Sequence, residues 1–310
     1  PAKARAFPTA FDATSGARIY NWQPPVRPIL PSFFPMTAPA LVVIPARLSS
    51  TRLPRKMLLA ETGRSLIEHT WHNAASAQAA GQVVVLTDSD EIEATVRAFG
   101  GSVLMTSPEA TSGTARIVEA LDRLPAADVI VNVQGDEPEL PVAAINAAIE
   151  LLARCPEAGV ATLVTPLRSR DDLADPAAVK AELTPWRRPA TGGARLAAAD
   201  PEPGCWRAIT FSRAPVPFAR EWRDDLLAAE PPLYWQHVGL YAYRRWVLEA
   251  WNTLPESRLA SHESLEQLRV IEAGIPIVAG VIDHPIRGID TAKDYAAFVE
   301  RQRAMSLARA

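Results

Sequence analysis

Arg47, Arg52, Arg55 and Lys56 fall within ten positions of one loop, Pro45-Ala-Arg-Leu-Ser-Ser-Thr-Arg-Leu-Pro-Arg-Lys56, with Ser49, Ser50 and Thr51 between them. Guanidinium groups offer a planar fork of donors and an ammonium a compact point charge, so such a loop can grip a triphosphate. A solvated basic loop would carry the same residues. The loop has no G-x-x-x-x-G-K-[ST] pattern and is not a P-loop, and the absence of G-x-G-x-x-G argues against a dinucleotide-dependent dehydrogenase. A carboxylate follows in Val133-Gln-Gly-Asp-Glu-Pro138, where Asp136 stands behind a glycine. An acid among phosphate-binding cations suits Mg²⁺, which takes one or two protein carboxylates and completes its octahedron with water and substrate phosphate. The alternative is a turn acid that caps the next helix. A second acid, Asp290, sits in Arg287-Gly-Ile-Asp-Thr-Ala-Lys-Asp294. Thr291 and Asp294 have capping-box spacing, which leaves Asp290 just outside the helix and free to ligate a metal.

Two further groups are less specific. His237, Gly239, Tyr241 and Tyr243 share one face of a strand by period two and could line a polar sugar site or simply pack. In Leu265-Glu-Gln-Leu-Arg269, Leu265, Leu268 and Ile271 form an apolar stripe, with Glu266 and Gln267 facing elsewhere.

The elements that must position these residues alternate. Strands are expected at 40–44, 82–88, 103–105, 128–133 and 160–164, and helices at 65–80, 91–99, 112–124 and 142–154. This alternation implies an α/β fold with a mostly parallel central sheet covered by helices on both faces. Ligands in such sheets bind beyond the carboxyl ends of the strands, which is where Arg47–Lys56 and Asp136 fall. The rhythm breaks from about 175 to 230, and 184–204 reads as a surface excursion. Strands return at 206–212 and 237–243, followed by helices at 244–251, 264–273 and 291–303.

Composition sets outer limits. The 310 residues are 48% hydrophobic and 22% charged, enough for a sizeable core. A net charge of −3 gives no basic excess for nucleic acid, and no apolar run approaches the roughly 18 residues of a membrane helix. Cys155 and Cys205 form no CxxC pair, so a structural zinc site is not expected and buried thiols are the simpler reading. Residues 1–35 hold seven of the 28 prolines and, with Lys3, Arg5, Arg18 and Arg27 against Asp12, a charge of +3. That segment is expected to stand outside the fold and not to act as a secretion signal, leaving 36–310 as the catalytic domain.

Nine stretches, taken in order, resemble the 3-deoxy-manno-octulosonate (Kdo) cytidylyltransferase family: IPARLSSTRLPRK (44–56), VLTDSDEI (85–92), FGGSVLMTSPEATSGTAR (99–116), VNVQGDEP (131–138), DPAAVK (175–180), FSRAPVP (211–217), HVGLYAY (237–243), SLEQLR (264–269) and GIDTAKD (288–294). The resemblance implies a Rossmann-like, GT-A-like nucleotidyltransferase fold. It implies the Mg²⁺-dependent reaction of CTP with Kdo to give CMP-Kdo and pyrophosphate, for lipopolysaccharide assembly in the cytoplasm, by a homodimer. On matching positions, Arg47, Arg52 and Lys56 would hold the CTP phosphates, with Ser112 and Arg116 helping to hold the nucleotide and Gln134 between nucleotide and sugar. Asp136 and Asp290 would ligate Mg²⁺, with Lys56 beside them as a catalytic group. Arg213, His237, Tyr241, Glu266 and Gln267 would form the sugar pocket, and residues 175–260 would supply it together with dimer contacts. Two positions depart from the family pattern. Ala115 replaces the acid of SGTDR, removing a carboxylate expected beside the nucleotide, and Arg55 replaces the glycine of RLPGK. The rival readings are a cytidylyltransferase for a related acidic sugar, such as amino-Kdo or a sialic acid, and a nucleotide-binding paralogue of weak activity.

Overall fold

The computed structural model describes residues 39–188, 200–283 and 288–309, together with a short strand pair between Ala10–Phe11 and Arg18–Ile19. Most of residues 1–35, and 189–199 within the expected excursion, therefore lie outside the described residues. Among the described residues nine strands make one sheet: β1 (Ala40–Ala46), β2 (Ala80–Thr87), β3 (Ser102–Met105), β4 (Val129–Asn132), β5 (Val160–Pro166), β6 (Lys180–Pro185), β7 (Trp206–Ser212), β8 (Trp235–Arg244) and β9 (Ile277–Val281). Their order is β3-β2-β1-β4-β8-β5-β9-β7-β6, and the start of β8 also pairs with β6.

The sheet is mixed, which corrects the expectation of a mostly parallel one. β3, β2, β1 and β4 run parallel, as do β5 and β9. β8 runs antiparallel between β4 and β5, and β7 is antiparallel to both β9 and β6. The parallel half is the part whose sequence alternates strand with helix. The reversed strands come from 206–244, where that alternation has already stopped.

Helices cover both faces. Along β1, Val42 and Ile44 pack on one side with Ile67 of α1 (Leu66–Ala75), Ile92 of α2 (Asp90–Ala98) and Ile145 of α4 (Val142–Arg154). Leu41 and Val43 pack on the other with Ile117 of α3 (Gly113–Ala120). The same second cluster takes Val247 of α6 (Arg245–Glu249) and Leu268 of α8 (Gln267–Glu272). Strands sandwiched in this way need apolar residues at successive positions, and Ala40 to Ile44 supply them. Side-chain caps start the helices: Ser65, Ser89 and Ser112 accept from the backbone N–H of Glu68, Ile92 and Ala115.

Other differences have local causes. The expected helix 65–80 stops at Ala75, because Ala80 is drawn into β2 opposite Ala40. Strand pairing there outweighs the helix preference of the alanine-rich stretch. Ser264 takes a left-handed backbone, φ 51°, which ends α7 (Arg258–Glu263), a helix that was not expected, and the expected helix 264–273 shortens to α8. The expected excursion begins in β6, and its Trp186 is buried together with Cys205 just beyond it. Cys155 and Cys205 are buried free thiols, and burial foremost pushes the Cys155 pKa up. Among the described residues no helix is long and apolar enough to cross a membrane.

Candidate active site

β1 and β4 are parallel neighbours, so the loops that follow them leave the same edge of the sheet. Gly135 lets those loops close on each other. A Cβ there would sit 3.1 Å from the Pro45 carbonyl oxygen and 3.2 Å from Met57 Sδ. The Gly135 carbonyl accepts from Thr70 Oγ1 at 2.8 Å, which ties the turn to α1. The chain's distant end arrives by a different route. In α9 (Ala292–Arg309), Tyr295, Phe298 and Val299 pack with Leu66 and Ile289, and Tyr295 Oη accepts from the Glu61 N–H at 3.0 Å. The expected capping box is formed: Asp294 Oδ2 accepts from Thr291 N at 2.8 Å, and Thr291 Oγ1 accepts from Asp294 N at 3.2 Å. The Ile289 N–H donates to the Asp136 carbonyl at 2.8 Å, which registers the two acid-bearing segments against each other.

The result is one charged cluster. Lys56 Nζ donates to Asp136 Oδ2 at 2.5 Å, Asp290 Oδ1 at 3.0 Å and the Ile289 carbonyl at 3.2 Å. The other oxygen of Asp290 pairs with Arg52 at 3.0 Å. Burial alone would lower the pKa of Lys56, but the charges and hydrogen bonds of Asp136 and Asp290 outweigh it and leave it raised. Two acids separated by 154 positions in sequence thus share one ammonium, and neither is turned into apolar packing. They border a cavity of about 360 Å³ also lined by Arg47, Ser49, Thr51, Ser112, Gly113, Arg116 and Gln134. Arg47 is exposed there and has no partner among the described residues.

Sequence reasoning missed Glu137. Its residue is 9% exposed, and its Oε2 is buried with no hydrogen-bond partner among the described residues. Burial, then the nearby charges of Asp136 and Asp290, push its pKa up to about 8, so it is a neutral carboxylic acid at neutral pH. The signal was its place directly after Asp136 in a run that turns back into the fold.

The remaining nucleotide residues are only partly free to act as expected. Ser112 is the N-cap of α3, its hydroxyl accepting from Ala115 N at 3.1 Å. Arg116 borders the cavity, but its guanidinium is buried against Asp88 Oδ2 at 2.9 Å and Thr106 Oγ1, so its charge is balanced inside the fold. Gln134 Nε2 reaches the Gly239 carbonyl at 3.5 Å, linking the cavity to β8. Ala115 does not line this cavity. It faces a second one, of about 510 Å³, with Glu119, Trp251, Glu266 and Arg269, and the two cavities share Thr111 and Ser112 at their rims. Arg55, where the family pattern has glycine, takes a left-handed backbone, φ 57°, at a cost of roughly 1–2 kcal/mol.

Of the six expected sugar residues, Gln134 lines the first cavity, and Arg213, His237, Tyr241, Glu266 and Gln267 do not. His237 and Tyr241 do meet on one face of β8, ring centroids 5.3 Å apart, across a bulge between Val238 and Tyr241. Thr162 Oγ1 stitches that bulge, donating to the Leu240 carbonyl at 2.8 Å and lying 2.9 Å from His237 Nε2. Burial presses the His237 pKa down to about 3, which makes the ring a neutral hydrogen-bonding group and a weak base. Arg213 uses its guanidinium on the carbonyls of Glu263 at 2.6 Å, Pro176 at 2.9 Å and Ser264 at 3.4 Å. Glu266 is exposed beside the second cavity. Gln267, expected off the apolar stripe, is 4% exposed, and its amide nitrogen has no partner among the described residues.

Comparison with known proteins shows the family. A cytidylyltransferase family model matches residues 41–277. The 3-deoxy-manno-octulosonate cytidylyltransferase of Rhodopirellula baltica is 43% identical over 262 residues, covering 84% of this chain and 97% of that protein. The enzyme of the same name from Acidithiobacillus ferrooxidans is 41% identical, covering 82% of this chain and 95% of its own. A solved CMP-2-keto-3-deoxy-manno-octonic acid synthetase complexed with CTP superposes with a TM-score of 0.72 at 35% identity, over 87% of this chain and 99% of that one. With its family model spanning most of the sheet, and relatives this similar over nearly their whole length, the chain belongs to the cytidylyltransferase family, alongside the 3-deoxy-manno-octulosonate cytidylyltransferases.

Proposed function

We propose that this protein activates Kdo with CTP, giving CMP-Kdo and pyrophosphate for lipopolysaccharide synthesis. The observation that carries the reading is the convergence of Lys56, Arg52, Asp136 and Asp290 on one cavity at the carboxyl edge of β1 and β4. In the reaction the anomeric hydroxyl oxygen of the sugar acid bonds to the α-phosphorus. The bond from that phosphorus to the bridging oxygen breaks, its electron pair leaves with pyrophosphate, and the hydroxyl proton is released.

Both substrates are anions, so fixed cations must bring them together. Arg47 is free to meet the triphosphate, whereas Arg52 and Lys56 are paired with acids in the free protein. The reading has these two cations exchange their carboxylates for phosphates when CTP arrives. They then neutralise the leaving group, an electrostatic role that carries much of the barrier lowering in such sites.

Mg²⁺ fits the residues present. Two carboxylates, Asp136 and Asp290, already converge on a single cation, the Lys56 ammonium. Among the described residues no cluster of three or more His, Cys, Asp or Glu offers a closed protein site, so a metal here would complete its shell with phosphate and water. When bound, Mg²⁺ would supply charge stabilisation and acidify a coordinated hydroxyl. His237, as a weak neutral base, is assigned to orienting the sugar with Tyr241 and not to taking its proton. Gln134 bridges the two halves through Gly239. Residues 36–310 acting as one catalytic domain, the contribution of 175–260 to sugar binding and dimer contacts, a homodimeric assembly and a cytoplasmic location belong to the same proposal.

Pyrophosphate release by purified protein with CTP, Mg²⁺ and a panel of sugar acids tests it. Release with Kdo above amino-Kdo and sialic acid is the expected result. Preference for another acid would reassign the substrate, and CTP binding without release across the panel would reject the activity.

A further inference from the structure

Arg55 directly precedes Lys56 in a left-handed backbone, φ 57° and ψ 26°, a region that disfavours any residue bearing a Cβ. Its guanidinium lies fork to fork on the Glu91 carboxylate, Nη1 to Oε1 at 3.0 Å and Nη2 on Oε2. Glu91 belongs to the first turn of α2, a helix packed into the core through Ile92 and Val96. Two other cations tether the same loop, Arg52 to Asp290 and Lys56 to Asp136 and Asp290. Both of those line the first cavity and would have to leave their carboxylates to meet a triphosphate, whereas Arg55 does not line it. The Arg55–Glu91 pair is therefore the one ionic tether of the loop, among the described residues, that can persist while the others are exchanged.

We propose that Arg55 is a positioning residue for nucleotide binding. Through Glu91 it holds the 47–56 loop against α2, so that Arg47, Arg52 and Lys56 are arranged around the triphosphate site before CTP arrives. The proposal rests on the cytidylyltransferase reading. A glycine at this position would make the turn without strain but would leave the loop untied to α2. Arginine accepts the strained backbone and supplies the tie, and binding to a loop already in place avoids part of the ordering cost.

The test is CTP binding by calorimetry on the full chain, with melting temperature measured alongside. Arg55→Gly is expected to weaken CTP binding about two- to five-fold, the range of a well-oriented exposed ion pair. Its melting temperature should hold or rise, because glycine relieves the left-handed strain. A merely structural role would not separate affinity from stability in that direction. Glu91→Gln should weaken CTP binding to the same extent, and the double variant no further than either single one. In turnover, the KM for CTP should rise in both single variants while the KM for the sugar acid stays unchanged. Wild-type affinity in both single variants would overturn the proposal, and so would a double variant that loses the product of their separate effects. If CTP binds and the cycle behaves as expected but no sugar acid releases pyrophosphate, the anchor stands and the proposed transfer falls. Wild-type protein that binds no CTP overturns both.

Discussion

Replacing Lys56 with methionine isolates the charge at the centre of the cluster while keeping its volume. The ammonium is the shared partner of Asp136 at 2.5 Å and Asp290 at 3.0 Å. Removing one partner of a buried ion pair typically costs about 3–5 kcal/mol. Here the Lys56 side chain is 11% exposed but the acids are 24% and 39% exposed, so solvent screening reduces the loss to about 1–3 kcal/mol. The raised pKa of Lys56 means that its contribution is fully present below the ordinary lysine value of 10.5 and fades only as pH climbs through the higher folded value, so neutral pH is the right condition. For a chain of this size the melting temperature should fall by roughly 2–4 °C per kcal/mol. Turnover should fall on the order of 10²–10³-fold, the usual loss on deleting one preorganised electrostatic contact. The more telling readout needs no substrate. With the ammonium gone, the two carboxylates repel each other, and millimolar Mg²⁺ alone should raise the melting temperature of Lys56→Met more than that of the wild type. Calorimetric melts with and without Mg²⁺ measure this. A variant as stable as the wild type in chelator, or one with no larger response to Mg²⁺, would refute both the electrostatic account of the cluster and the metal assignment.

Three further outcomes follow from the same geometry. Asp136→Asn and Asp290→Asn should each cut pyrophosphate release on the order of 10²–10³-fold while circular dichroism stays native, and wild-type turnover in either would remove that acid from the site. The wild type should lose about 1 kcal/mol of stability for each pH unit below 6.5, because His237, with a folded pKa of about 3, stays neutral while the unfolded chain takes up the proton; in His237→Asn that part of the pH dependence should vanish from denaturant titrations. Ala115→Asp should leave the KM for CTP within about twofold, because Ala115 faces the cavity of Glu119, Glu266 and Arg269 instead of the one bordered by Asp136 and Asp290, and a tenfold change in that KM would contradict the placement.

The legible part of the fold was the part held by local pattern. Continuous apolar runs such as Ala40–Ile44 and Val129–Val131 can only be buried on both faces, and serine caps mark the helices between them. Strand direction was not legible beyond the alternating half. HVGLYAY reads as a strand, but nothing in it says that β8 will insert antiparallel between β4 and β5, a long-range choice made by packing. Ile277–Val281 is an apolar run interrupted by Gly280, a residue that weakens a strand reading, yet it forms β9 with Gly280 pressed against Leu151 of α4, a Cβ position 2.8 Å from Leu151 Cδ1.

The site divides along the same line. Asp136 and Asp290 were legible because each is freed by a neighbour with a structural duty, Gly135 making the turn and the Thr291–Asp294 box starting α9. What a charge-density argument could not tell is where each cation is spent. Four residues of the 45–56 loop looked equivalent as anion donors, yet Arg47 is free, Arg52 and Lys56 are held by the acids, and Arg55 is turned outward to Glu91. Arg116 and Arg213 likewise match the family pattern, but their guanidinium groups are engaged by Asp88 and by backbone carbonyls. A motif fixes which residue types stand near a site, whereas the partners each one meets are set by segments far away in sequence. For an ionic site that second fact decides the chemistry, since a guanidinium already paired with a carboxylate must give up that partner before it can hold a phosphate.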